Sequence, residues 1–168
     1  AQLFKRLDAI LTEVERYQTA PEGQRIDGVI FTSSNPKIFL AGADLFYLND
    51  IKKSLLLLDA VIDIGHEAFD RIQKLKVPTA AAINGACLGG GFELALACKY
   101  RLCSNDKCTK VGLPEVTLGL IPSWGGCTRL PGLVGMPVAL EAVLTGKQFP
   151  AKLAKKKGLI DAVVHKEN

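Results

Sequence analysis

Hydrophobic residues in the first half of the chain recur at two different spacings. Helical spacing over residues 3–14 and 54–75 predicts two amphipathic helices. Two short apolar runs, IDGVIFTSS (26–34) and KVPTAAAIN (76–84), predict buried strands. Between them, NPKIFLAGADLFYLND (35–50) predicts a loop followed by a helix that begins near Asp44.

The second half continues the alternation of helices and strands. A glycine cluster begins a helix that is predicted to end near Lys99, and YRLCS (100–104) predicts a strand. Residues 111–135 are rich in Gly and Pro, which predicts short apolar pieces separated by turns. Helices at 136–145 and 150–157 and a strand in LIDAVV (159–164) complete the pattern. Together these elements predict an α/β fold with mostly parallel strands.

Composition narrows the class of protein. The 168 residues are 48% hydrophobic and 23% charged, which suits one globular domain with a substantial core. A net charge of +4 with 7% aromatic residues disfavours nucleic-acid binding. No apolar run reaches the length of a membrane span.

The cysteines predict free thiols. The five, Cys87, Cys98, Cys103, Cys108 and Cys127, form no C-x-x-C pair, and the chain has only two histidines, so a zinc site is not expected. Free thiols are typical of a reducing compartment. We therefore expect a bacterial cytoplasmic protein, with the mitochondrial matrix as the alternative.

Three consecutive glycines stand out in NGACLGGGFELALA (84–97). Each glycine in a helix costs roughly 0.5–1 kcal/mol relative to alanine, so the bare backbone needs a reason. The dinucleotide fingerprint and the P-loop both fail, the first because Leu94 stands where it needs glycine. One interpretation is that unpaired amide N–H groups at the helix start stabilise an oxyanion in a pocket. The alternative is close packing of the helix against a strand.

An oxyanion site of this kind needs a second donor. FLAGADL (39–45) offers a small-residue turn, Ala41-Gly42-Ala43, with Asp44 as a helix N-cap. If both turns follow parallel strands, they lie at the same edge of the sheet.

Two glutamates lie in apolar surroundings, Glu93 in the first turn of the glycine-led helix and Glu115 after Pro114. Carboxylates in such positions are seldom buried without a partner or a role. They are candidates for a general acid and base in one pocket, and a structural salt bridge is the alternative for each. His66 is expected to be exposed, and no Ser-His-Asp or Cys-His set suggests a nucleophile.

Four segments carry a family resemblance: IFLAGADL (38–45), AAINGACLGGGFELALAC (81–98), GLPEVTLGLIPSWGGCTRLPGLVG (112–135) and ALEAVLTGKQFPAKLAKKKGLIDAVV (139–164). In order and spacing they resemble the enoyl-CoA hydratase/isomerase (crotonase) superfamily, most of all the hydratase domain of the multifunctional α-subunits of fatty-acid β-oxidation. The resemblance implies a spiral of ββα units. It also implies that residues 1–168 form one domain that lacks the family's N-terminal strands and C-terminal helices.

The resemblance further implies reversible hydration of trans-2-enoyl-CoA to 3-hydroxyacyl-CoA. The N–H groups of Ala43 and Gly90 would hold the thioester oxygen, Glu93 would activate water, and Glu115 would deliver a proton to C2. Further pocket candidates are Gly42, Asp44, Leu88, Leu113 and Trp124.

No metal or cofactor is expected, since CoA is part of the substrate. The expected partners are an acyl-CoA thioester and, for the full-length protein, copies of itself or a multienzyme complex. Two alternatives stay open: Δ3-Δ2 enoyl-CoA isomerisation, and a non-catalytic acyl-CoA-binding role. The chain departs from the family at Ser123 and Trp124, where glycine and a small residue are usual, and this departure predicts an altered acyl pocket.

Overall fold

The computed structural model describes residues 2–42 and 55–165. In chain order its α-helices are α1 (Gln2–Tyr17), α2 (Leu55–Lys74), α3 (Gly90–Ala97), α4 (Gly126–Val134), α5 (Met136–Thr145) and α6 (Ala151–Lys156). Its strands are β1 (Val29–Phe31), β2 (Ile38–Ala41), β3 (Thr79–Ile83), β4 (Ala86–Leu88), β5 (Tyr100–Ser104), β6 (Lys110–Gly112), β7 (Gln148–Pro150) and β8 (Ala162–Val164). A 3-10 helix spans Pro114–Leu118.

The strands form two four-stranded sheets, in the orders β1-β3-β5-β8 and β2-β4-β6-β7. All neighbouring strands are parallel except β6 and β7. Successive strand pairs, such as β3 and β4, place one strand in each sheet before the next helix begins. This arrangement is a spiral of ββα units, so the predicted fold class is confirmed.

The turn between β3 and β4 shows why the chain can change sheets so abruptly. A Cβ atom at Gly85 would clash with the backbone of Lys37, so glycine permits the close approach of the two connections. The side-chain amide of Asn84 donates to the carbonyl oxygens of Ser33 and Asn35, at 2.9 Å each. These bonds fix the β1–β2 connection against the turn.

Helix α3 lies in the middle of the molecule, and every residue from Gly90 to Ala97 is buried. The seven residues of this helix other than Glu93 are apolar or glycine. A helix that is apolar all round is stable only when other elements cover every face. The fold therefore carries one carboxylate into its core.

Helix α1 packs on α2 through Phe4, Leu7 and Leu11, which are all buried. Outside this contact, Arg71 of α2 pairs with Glu15 and Asp8 of α1. None of the helices in residues 2–42 and 55–165 has the length and apolar composition needed to cross a membrane.

The predicted helices over residues 3–14, 54–75, 136–145 and 150–157 are confirmed, as are the strands in 26–34, 76–84, 100–104 and 159–164. The prediction of a loop at the start of 35–50 is wrong, because Ile38–Ala41 forms β2. Strands β4, β6 and β7 and helix α4 were not predicted. The helix expected from Asp44 lies outside the described residues.

Candidate active site

A cavity of about 220 Å³ lies between β4, the start of α3, the 3-10 helix and the following loop. Six of the nine predicted site residues line it: Gly42, Leu88, Gly90, Glu93, Glu115 and Trp124. Sequence reasoning missed several of its apolar lining residues, among them Leu118, Leu120 and Ile121. The structure thus brings both glutamates and the glycine cluster to one pocket.

The other three predicted site residues, Leu113, Ala43 and Asp44, are not among the described residues that line the cavity. Leu113 is fully buried in the core and is not among the described residues that line the cavity, so its place beside an acyl chain stays a prediction. Ala43, the predicted second oxyanion donor, and Asp44 lie outside the described residues.

The start of α3 supplies an unpaired amide. Gly89 has φ +56°, a left-handed conformation that favours glycine, and its N–H donates to the carbonyl oxygen of Gly112 at 2.9 Å. Its own carbonyl accepts the N–H groups of Phe92 and Glu93. Within the described residues the Gly90 N–H has no acceptor. It lies at the positive end of the helix dipole and at the cavity wall.

Close packing also explains the glycines. The packing interpretation concerns the missing Cβ atoms, and the oxyanion interpretation concerns the backbone N–H of Gly90, so the two are compatible. A Cβ atom at Gly91 would clash with the carbonyl oxygen of Leu40. One at Gly90 would clash with the six-membered ring of Trp124, and one at Gly89 would lie 2.9 Å from Oε1 of Glu115. Steric need accounts for the absence of side chains at these glycines, and it leaves the Gly90 N–H at the cavity without an acceptor in the described part of the chain.

Glu93 is 2% exposed, and its Oε1 accepts the backbone N–H groups of Trp124 and Gly126, at 2.8 Å each. Gly126 is the first residue of α4, so this carboxylate caps that helix. Burial raises the pKa of Glu93, and these two bonds oppose the rise. Both of these hydrogen bonds go to Oε1, and the Glu93 side chain lines the cavity.

Glu115 stands in the first turn of the 3-10 helix, and its side chain is held differently. Its Oε2 is buried and has no hydrogen-bond partner in the described structure. Burial raises the pKa of Glu115 to about 7, and the negative charge of Glu93 adds to the rise. A carboxyl group with a pKa near neutrality can both donate and accept a proton at physiological pH.

Arg129 of α4 fixes the loop that holds Glu93, a role that the sequence reasoning missed. Its guanidinium donates to the carbonyl oxygen of Trp124 at 2.8 Å and pairs with Asp70 of α2. The charges of His66 and Arg129 both lower the pKa of Glu93. The sequence signal was the short spacing of Arg129 after Gly125-Gly126.

The alternative of a structural salt bridge does not hold among the described residues, where neither Glu93 nor Glu115 is part of an ion pair. His66 is exposed, as predicted. In residues 2–42 and 55–165 no group of three His, Cys, Asp or Glu side chains is placed to hold a metal ion. The five cysteines are free thiols, as predicted.

Comparisons with known proteins agree with this picture. The profile of the family described as Enoyl-CoA hydratase/isomerase matches residues 8–168. The fatty acid oxidation complex subunit alpha of Aliivibrio fischeri is 44% identical over 164 residues, which are 98% of this chain and 23% of that protein. An enoyl-CoA hydratase structure from Bacillus anthracis has 35% identity and a TM-score of 0.87, over 98% of this chain and 60% of that one.

The structure of Pseudomonas aeruginosa DspI is similar too, with 31% identity and a TM-score of 0.86, over 96% of this chain and 62% of that one. The chain therefore spans less than two thirds of the length of these relatives. Its fold and cavity define a two-sheet ββα protein whose pocket combines a helix-start amide with two carboxylates. The chain belongs to the enoyl-CoA hydratase/isomerase family.

Proposed function

We propose that the protein adds water reversibly to a trans-2-enoyl-CoA thioester, giving a 3-hydroxyacyl-CoA. The observation that carries the proposal is that two carboxylates with raised pKa values line the same cavity as Gly90, whose N–H has no acceptor within residues 2–42 and 55–165. A polarised thioester and two proton-transfer groups are what this addition requires.

In the proposed reaction the thioester oxygen accepts the Gly90 N–H, with the N–H of Ala43 as the predicted second donor. Glu93 takes a proton from water as the water oxygen bonds to C3, and the electrons of the double bond move toward the thioester oxygen. Glu115 then gives its proton to C2 on the same face, and proton exchange with solvent returns Glu93 to the carboxylate and Glu115 to the acid. The product gains one hydroxyl at C3 and one hydrogen at C2, so the addition is syn and atoms balance. The reverse steps are dehydration.

Isomerisation of a 3-enoyl to a 2-enoyl thioester moves one proton between two carbons and needs one carboxylate. Both glutamates line the cavity, which favours hydration. The Aliivibrio relative is named as a subunit of a fatty acid oxidation complex. This supports the further proposals that the protein acts in fatty-acid oxidation in the bacterial cytoplasm, as part of a larger chain, a homo-oligomer or a complex. That it needs no cofactor stays a prediction.

The test uses trans-2-butenoyl-CoA in oxygen-18-labelled water, with the product analysed by mass spectrometry. The parent is expected to form 3-hydroxybutanoyl-CoA with the label at C3. Glu93→Gln and Glu115→Gln are each expected to lower the rate by about 10²–10⁴-fold. Glutamine at position 93 keeps an oxygen that can accept the two loop amides, so the fold is preserved. Glu22→Gln, at an exposed position outside the cavity, is the matched control.

Two results would contradict the proposal. Conversion of 3-butenoyl-CoA to 2-butenoyl-CoA without incorporated label would assign isomerisation instead. No turnover, with heat released on binding acetoacetyl-CoA, would assign a non-catalytic binding role.

A further inference from the structure

A second cavity, of about 360 Å³, lies between α1 and α2. Four apolar side chains, Phe4, Val61, Ile64 and Ala68, form part of its lining. The other described residues that line it are charged: two are basic and two are acidic, namely Lys5, Arg71, Asp8 and Glu67. Nothing in the proposed reaction uses this cavity.

Trp124 lies between the two cavities. One end of its indole faces the candidate active site, where a Cβ atom at Gly90 would clash with Cζ3 and Cε3. The other end reaches α2, where a Cβ atom at Gly65 would clash with Cδ1 and Nε1. Two glycines on different helices thus leave a slot that the indole fills.

Three contacts hold the indole in this slot. Its Nε1–H donates to the carbonyl oxygen of Val61 at 3.2 Å. The ring of Phe4 packs edge-on against it with centroids 5.0 Å apart, and that of Phe69 does so at 6.0 Å. Phe4 and Val61 both line the second cavity, so the groups that fix Trp124 are also the wall of that cavity. The indole, together with Phe4 and Val61, therefore forms a fixed partition between the two cavities.

We propose that Trp124 ends the acyl pocket and restricts the protein to short acyl chains. An acyl chain whose thioester binds at Gly90 meets the indole, which packs directly on that residue. Removing the indole would extend the 220 Å³ cavity into the slot, as far as Phe4 and Val61, and give a longer chain that apolar space. This inference rests on the proposed function, because it takes the ligand to be an acyl-CoA thioester.

The test measures Kd by calorimetry for butanoyl-CoA and octanoyl-CoA with the protein at its full natural length. The parent is expected to bind octanoyl-CoA no more tightly than butanoyl-CoA. Each methylene that enters an apolar cavity tightens binding about fourfold, so Trp124→Ala is expected to prefer octanoyl-CoA by up to about 200-fold. Trp124→Leu, which keeps an apolar side chain, is expected to show a smaller preference and guards against misfolding of the alanine variant.

Phe149→Leu is the matched control, since Phe149 is a fully buried aromatic residue of β7 that lines neither cavity. It is expected to keep the parent's chain-length profile. The proposal is overturned if the parent already prefers octanoyl-CoA by the per-methylene factor. It is equally overturned if both Trp124 variants change the affinity for the two ligands by the same factor.

Saturated thioesters cannot be hydrated, so the binding profile is independent of the reaction. Hydration of 2-butenoyl-CoA without a changed profile in the Trp124 variants would overturn this inference alone. A changed profile without hydration by the parent would overturn the proposed reaction alone.

Discussion

Replacing Glu115 by glutamine is expected to stabilise the protein at alkaline pH while it removes activity. The folded pKa of Glu115 is about 7, above its ordinary value of 4.5, so the folded state binds the proton more tightly than the unfolded state does. For an acid with a raised pKa, the contribution of the group to the free energy of unfolding is fully present below the unfolded pKa of 4.5 and is lost as the pH rises through the folded pKa of about 7.

The magnitude follows from the two pKa values. At about 1.36 kcal/mol per pKa unit, a shift from 4.5 to about 7 costs at most about 3.4 kcal/mol of unfolding free energy. Linkage makes the cost about 0.8 kcal/mol at pH 5 and about 3.3 kcal/mol at pH 8. Because the Glu115 side chain is partly exposed, solvent screening reduces this cost, so the unfolding free energy of Glu115→Gln relative to the parent should rise by about 1–2.5 kcal/mol between these pH values.

Urea unfolding at pH 5 and pH 8, followed by the fluorescence of the single tryptophan, measures this difference. Glu93 is present in both proteins, so its own titration largely cancels. Glu22→Gln controls for the loss of one negative charge. An unchanged stability difference between Glu115→Gln and the parent at the two pH values would refute the claim that burial disfavours the Glu115 carboxylate.

Two further predictions concern packing and the loop. In urea unfolding, Gly91→Ala should destabilise the fold by about 1–3 kcal/mol, because its Cβ would meet the Leu40 carbonyl oxygen. Gly132→Ala, whose Cβ would have nothing within 4 Å, should be neutral or stabilising. Equal effects of the two substitutions would contradict the close approach of Gly91 to Leu40. Arg129→Ala should lower kcat by up to about a hundredfold. It should also move the rise of kcat to higher pH, because it removes a charge that lowers the pKa of Glu93. A pH–rate profile that does not move would contradict this.

The sequence predicted the elements whose stability comes from their own pattern. Helices α1 and α2 have clear helical spacing, β3 is an apolar run, and β3 and β5, at five residues each, are long enough to stand out. The second strand of each ββα turn has only three or four residues, and its pairing partner lies far away in sequence. Strand β7 even contains Pro150, which an edge strand tolerates.

The candidate site was predictable in its residues but not in its connections. The glycine cluster and both glutamates were identified because their types are costly in those positions. The cap that Glu93 provides for α4 was not, because it depends on a contact across 33 positions of chain. Helix α4 itself was hidden by Pro131 and its glycines, and it begins where that carboxylate accepts its first amide. The partition made by Trp124 likewise exists only once α1, α2 and α3 meet.

The double role of Glu93 couples proton occupancy to pocket shape. One carboxylate holds the amides of Trp124 and Gly126, so a change in its charge changes how strongly residues 122–126 are bound. By thermodynamic reciprocity, any ligand that presses on that loop will alter how readily the carboxylate protonates. If the proposed function holds, the length of the acyl chain and the protonation of Glu93 are linked, so a chain too long for the pocket would disturb proton transfer as well as binding.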